Sequence, residues 1–236
     1  VYASFDNEEV GSGSKQGALS TFLLDVLQRV YASLSLTSED LKVSIAKSMM
    51  VSCDNAHATH PNQPSLCDPL NRVYMNEGIV IKTNANLSYT TDAISFAIFS
   101  SILNESNVKW QVFANRSDTR GGSTLGHLSL SQVSLDSIDI GLAQLAMHSC
   151  FETAGVKDAE YMVKGLKAIM KVTFNKADLI AAVAPAAGIS QIKNTLTSIE
   201  GLLFECPPDP KMGDFDGPTE NVCRISAFDL EKGLRT

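Results

Sequence analysis

The hydrophobic and polar positions of the chain change period several times, and each change marks an element. A short apolar run over residues 1–10 predicts a strand, which breaks into Asp6-Asn7-Glu8-Glu9-Val10-Gly11-Ser12. Neighbours on an extended chain point to opposite sides, so Glu8 and Glu9 are expected to face different ways. Leu19, Phe22, Leu23, Val26, Leu27 and Val30 recur at helical spacing and predict a helix from Ser14 to Leu34. The apolar segment Val43 to Ser52 runs into a polar loop, Cys53 to Asn62, enforced by Pro61, which puts Asp54 at a strand end. Strands are predicted at Gly78 to Lys82, Val108 to Ala114 and Val133 to Ile140, with a helix from Thr91 to Leu103 between the first two. His148 then falls close to a further strand end, and Asp158 to Met170 reads as an amphipathic helix with Ala159, Met162, Val163, Leu166 and Met170 on one face. Strands alternating with helices predict an α/β fold, a mixed central sheet with helices on both faces, which binds ligands beyond its strand ends. Residues 173–236 differ in character: helices are expected over Ala177 to Leu196, a turn-rich loop from Cys206 to Pro218, and a strand at Val222 to Phe228.

Composition narrows the partners. The chain has 236 residues, 44% hydrophobic and 19% charged, ordinary values for a globular protein. A net charge of -7 without a compensating basic cluster argues against nucleic acid. No apolar run approaches the roughly 20 residues of a membrane-spanning helix, so no membrane partner is expected. Five cysteines at 53, 67, 150, 206 and 223, without CxxC spacing, indicate neither a disulfide framework nor a cysteine zinc site. They fit a reducing compartment, and a cytoplasmic location is the expectation. The chain starts on Val1 and enters a predicted strand almost at once, which points to sequence upstream.

The candidate chemistry sits at strand ends. Glu8, Glu9, Asp54 and His148 are all placed there, and carboxylates with a neutral imidazole are the usual ligands of hydrolytic zinc. A carboxylate left off the metal can take a proton from the attacking water. Taken singly, each has a blander reading: a solvated acidic turn for Glu8-Glu9, a cap for Asp54, a packed or exposed side chain for His148. The group of four is what raises a metal site above them.

The same residues resemble a known family. In order, Asp6 to Ser12, Asp54-Asn55-Ala56-His57-Ala58 before His60-Pro61-Asn62, Ile81 to Asn86 before Tyr89, Arg116-Ser117-Asp118 with Gly122 to Gly126, and Asp139-Ile140-Gly141 with Met147-His148-Ser149 are similar to the motifs of the aspartyl aminopeptidases. Tyr89-Thr90-Thr91-Asp92 is more similar to the bacterial branch. The resemblance implies a zinc-exopeptidase-like fold and a metal-dependent aminopeptidase that removes the N-terminal residue of peptides, with Asp and Glu as candidate residues. It implies Glu8 as general base, Glu9 and His148 as ligands of one metal, and Asp54 as a ligand of the other. His57, Lys82 and Tyr89 are implied as substrate-binding residues, and Gly122 and Ser123 read as a wall of the same cleft. Two zinc ions per site are implied, with Mn²⁺ or Co²⁺ as alternatives, in homo-oligomers as large as dodecamers. The family also draws a His and a bridging Asp from segments upstream of the Glu8-Glu9 motif, so residues 1–172 are expected to be the C-terminal part of a catalytic domain, incomplete at the N-terminus. Residues 173–236 are an extension without a counterpart in that resemblance.

Two other classes compete. Gly11-Ser12-Gly13-Ser14-Lys15-Gln16-Gly17 imitates a dinucleotide-binding loop, but its third glycine comes one residue late and the flanking Glu8 and Glu9 would repel a pyrophosphate. The Gly121-Gly122-Ser123-Thr124 loop lacks the lysine of a phosphate-binding P-loop. The non-enzyme alternative is a truncated assembly or interaction subunit without the upstream metal ligands.

Overall fold

A computed structural model describes residues 1–119 and 121–172, so the elements expected beyond residue 172 lie outside the described residues. In chain order they form α1 (Glu8–Gly11), α2 (Phe22–Ser33), α3 (Ser38–Ala46), β1 (Met49–Cys53), β2 (Ala56–His57), β3 (Ile79–Thr83), α4 (Ala93–Glu105), β4 (Trp110–Ala114), α5 (Leu125–Leu130), β5 (Asp136–Gly141), β6 (Ala143–Leu145), β7 (Thr153–Ala154) and α6 (Val156–Ile169).

The main sheet has the order β1-β5-β3-β4; β1 runs parallel to β5 and β3 parallel to β4, while β3 and β5 are antiparallel. The mixed sheet is the expected one. A second sheet, β2-β6-β7, continues the first, because β1 passes into β2 and β5 into β6 with short breaks. At the first break Asp54 and Asn55 leave the ladder, and the chain is held by the Asp54 N–H donating to the Ile140 carbonyl and the Ala56 N–H to that of Leu142, both at 2.9 Å. Gly141 makes this crossing possible: a Cβ there would stand 2.0 Å from the Asp54 carbonyl oxygen.

Alternation along the strands builds two layers. Ile79 and Ile81 of β3 and Ile138 and Ile140 of β5 share one cluster with Ile98, Phe99, Ile102 and Leu103 of α4 and Ile169 of α6. The opposite face carries Val80, Phe113 and Tyr89 in a second, smaller cluster, and beside it the short α5 and the loop before α4. α4 is set by a capping box in which the Asp92 carboxylate accepts from the Ser95 N–H at 2.7 Å and the Ser95 hydroxyl accepts from the Asp92 N–H at 3.0 Å.

The N-terminal expectations need correction. Residues 1–10 form no strand: Asn7 adopts a left-handed conformation (φ 56°) and Glu8–Gly11 is one helical turn, closed by the Gly11 N–H on the Asn7 carbonyl at 2.7 Å. Among the described residues no strand pairs with residues 1–10, and Glu8 and Glu9 diverge by the angle of a helix. The long helix from Ser14 shortens to α2, since Gly17, Ser20 and Thr21 favour the turns that precede it. α2 buries none of its residues, and Phe22, Val26 and Val30 remain exposed. The apolar run 43–52 divides between α3, started by the Thr37 and Asp40 capping box, and β1. α5 has no counterpart among the expectations; six residues give too short a period to register.

Candidate active site

The cleft is walled by Asp54 and Asn55 at the break after β1, by Lys82 of β3, by the residues that follow β4 and by those that follow β6. It encloses about 430 Å³, and Glu8, Glu9, Asp54, His57, Lys82, Tyr89, Gly122, Ser123 and His148 all line it. Residues from both ends of the described chain therefore meet on one set of walls.

α1 brings Glu9 to His148, which follows β6 in a left-handed conformation (φ 67°); Glu9 Oε2 lies 2.8 Å from His148 Nε2. Both side chains are more than 60% exposed, so as an ion pair they stabilise little. Their interest is chemical, because a carboxylate oxygen and an imidazole nitrogen are side by side. Glu8 faces the same space, and its carboxyl is raised above the ordinary range by partial burial and then by the charges of Asp54 and Glu9, with His148 opposing.

The floor is a charged pair. Lys82 closes the strand expected from the sequence, and the structure places it inside β3 and only 2% exposed. Its ammonium lies 3.4 Å from Asp54 Oδ2, donates to the Asn55 carbonyl at 3.3 Å, and sits 5.2 Å from the centre of the Tyr89 ring. Burial pulls the Lys82 ammonium below its ordinary value, and Asp54 and then Asp139 oppose that pull. Asp54 thus belongs with Lys82, while Glu9 belongs with His148. Desolvation in the cleft, with His148 and Lys82 adding, lowers the His57 imidazole. Burial raises the Tyr89 phenol, whose oxygen accepts from Asn115 Nδ2 at 3.1 Å.

Zinc takes carboxylate oxygens and imidazole nitrogens and needs three or four protein donors to be held firmly. Glu9 and His148 fit that chemistry as part of a shell. Among the described residues, no group of three or more His, Cys, Asp or Glu side chains converges on one ion-sized point.

Three neighbours escaped sequence reasoning as site residues. Asn55 braces the break between the sheets, donating to Gln144 Oε1 at 2.7 Å and accepting from the Leu142 N–H at 3.1 Å. Arg116 ties the cleft rim together through the Ser65 carbonyl and the Asp118 carboxylate. Asp139 is fully buried beneath the loop that carries Tyr89. All three stand inside the family-like motifs, but only the tertiary contacts separate them from their neighbours.

Comparison with known proteins gives a consistent result. The model of the aminopeptidase I zinc metalloprotease family (M18) matches residues 1–170. A probable M18 family aminopeptidase 2 of Clostridium novyi is 47% identical over 71% of this chain and 39% of its own length. Aspartyl aminopeptidase 1 of Schizosaccharomyces pombe is 43% identical over 69% of this chain and 34% of its own. Among solved structures, the mApe1 dodecamer of S. cerevisiae superposes with a TM-score of 0.63 at 29% identity, over 75% of this chain and 38% of that one. The chain therefore spans less than half the length of the relatives it matches.

Proposed function

The chain belongs to the M18 family of zinc aminopeptidases, and on that premise we propose that residues 1–172 form the C-terminal part of a peptidase catalytic domain that removes the N-terminal residue of peptides. The observation that carries this reading is the meeting of Glu9 Oε2 and His148 Nε2 at 2.8 Å beside Glu8, in the cleft that Asp54 also lines.

In this reading Glu9 and His148 would hold one zinc ion and Asp54 would contribute to a second, with the remaining ligands outside the described residues. Zinc, when bound, supplies Lewis acidity to the scissile carbonyl and to the attacking water. Glu8 is the general base: its raised affinity for a proton suits a carboxylate that takes one from water and returns it to the departing amine. Lys82 holds Asp54 in place through their 3.4 Å contact. Tyr89, His57, Gly122 and Ser123 shape the wall against which the substrate's first residue lies. A relative named for aspartyl peptides supports Asp and Glu as candidate first residues, and a dodecameric relative supports homo-oligomeric assembly.

Zinc titration by calorimetry tests the assignment directly. Glu9→Gln and His148→Asn are each expected to weaken zinc binding by at least about tenfold, the usual effect of losing a ligand or its support. Glu8→Gln is expected to keep it. Hydrolysis of aspartyl, glutamyl and leucyl peptides, measured in parallel, reports the residue preference. Unchanged zinc affinity in both ligand variants would sink the reading.

A further inference from the structure

The Asp139-Ile140-Gly141 motif has no part in the chemistry above, yet Asp139 is a carboxylate with no exposed surface. Its place in the sheet gives the reason. On β5 it pairs in register with Ser52 of β1, and the antiparallel register of Ile81 with Ile140 sets Lys82 of β3 across from it. Ser52, Asp139 and Lys82 thus form one polar row on the face turned away from the isoleucines.

A buried carboxylate is costly to the extent that its charge and its lone pairs go unanswered. Lys82 answers the charge. Oδ2 accepts from the Thr90 N–H at 2.5 Å and from the Thr90 hydroxyl at 2.9 Å, and the Thr90 hydroxyl also meets Ser137 Oγ at 2.8 Å. The Asp139 N–H donates to Thr91 Oγ1 at 2.9 Å. Oδ1 is buried without a hydrogen-bond partner among the described residues and faces Gly126, where a Cβ would come within 3.1 Å. Two consecutive residues of the loop before α4 are therefore fastened to one aspartate.

Tyr89 directly precedes this fastening. It is 7% exposed, its ring lies against the Lys82 ammonium, and it lines the cleft. The structure has no regular element at residues 89–91 to fix the ring's position. We propose that Asp139 is the positioning residue of the cleft: by gripping the Thr90 amide and hydroxyl it seats Tyr89 against Lys82 and so fixes the wall beside Asp54. Its importance to catalysis rests on the reading of the cleft as a peptidase site, but the geometry it imposes is measured without any activity.

Nuclear magnetic resonance of the whole chain, with labelled threonine amides and tyrosine rings, tests this. Asp139→Asn keeps the shape and removes the charge. The Thr90 amide is expected to move upfield and to exchange with solvent about tenfold faster, because a charge-assisted hydrogen bond is lost. The Tyr89 ring signals are expected to shift as well, in the direction seen in Lys82→Met, which removes the cation beside the ring. Tyr161, packed on the apolar cluster, serves as the control and should stay in place. A moved Thr90 amide with an unmoved Tyr89 ring would reduce Asp139 to a local tether and overturn the proposal, as would equal shifts at Tyr161. Should Asp139→Asn fail to fold, Thr90→Val removes only the hydroxyl contacts; a smaller Tyr89 shift of the same sign supports the proposal, and none overturns it. Loss of the peptidase reading would leave each of these outcomes unchanged.

Discussion

The two faces of the main sheet are made from the same strands and are equally buried, yet they differ in every other respect. Ile140 and Asp139 are neighbours on β5 and both have no exposed surface; Ile81 and Lys82 are neighbours on β3 and expose 0% and 2%. One face needs only shape: isoleucines fill the space under α4 and α6, and dispersion with water exclusion does the rest. The other sets a row of polar groups beside a small apolar cluster and holds them by pairing, with Asp139 Oδ1 left without a hydrogen-bond partner among the described residues at some cost. Depth of burial therefore does not separate core from site in this chain. The separation is between a face held by volume and a face held by pairing, and only the second can place an ammonium beside a carboxylate.

Phe99→Ala strikes the face held by volume and is expected to have the largest effect, about 3–5 kcal/mol of destabilisation in urea unfolding. A loss under about 1 kcal/mol would break the comparison. Gly126→Ala strikes the paired face, where its Cβ would meet Ser52 Cβ and Oγ at 2.7 Å. The expected cost is about 1–3 kcal/mol in the same assay. A cost above that of Phe99→Ala would mean that the paired face carries the stability. Glu8→Gln, at the cleft mouth, is expected to change stability least and in the opposite direction. Its folded proton affinity is raised, so the folded chain retains a proton over an interval where the unfolded chain has released it. Stability from that group is present below the ordinary carboxylate value and is lost as pH rises through the folded one. The variant should therefore melt slightly higher than the parent at neutral pH, and at the same temperature near pH 4, as read by thermal melts across pH.

Much of this was legible in the sequence. β3, α4, β4, β5 and α6 follow from period, since each is long or apolar enough for its own residues to decide its state. The N-terminal stretch was not, because Phe5-Asp6-Asn7-Glu8-Glu9 satisfies either a strand or a helical turn and only the presence of a partner strand decides. The candidate residues share one location: the nine singled out from the sequence line a single cleft. Their pairings were not legible. Nothing in the spacing of Asp54, Lys82, Glu9 and His148 says which carboxylate meets which cation, because those contacts depend on the break at Asp54-Asn55 and on α1. Asp139 was visible only as part of a motif, and its grip on Thr90 joins β5 to the loop before α4, a contact that spacing alone does not reveal.

The register of β5 also constrains how this chain can change over evolutionary time. Inserting or deleting one residue between Ser137 and Ile140 would turn the isoleucines toward Lys82 and drive Asp139 into the aliphatic layer, a double error from a single codon. Length variation among descendants of this sequence should accordingly collect in the connections, such as residues 115–123, and an alignment of relatives should be free of gaps within β5.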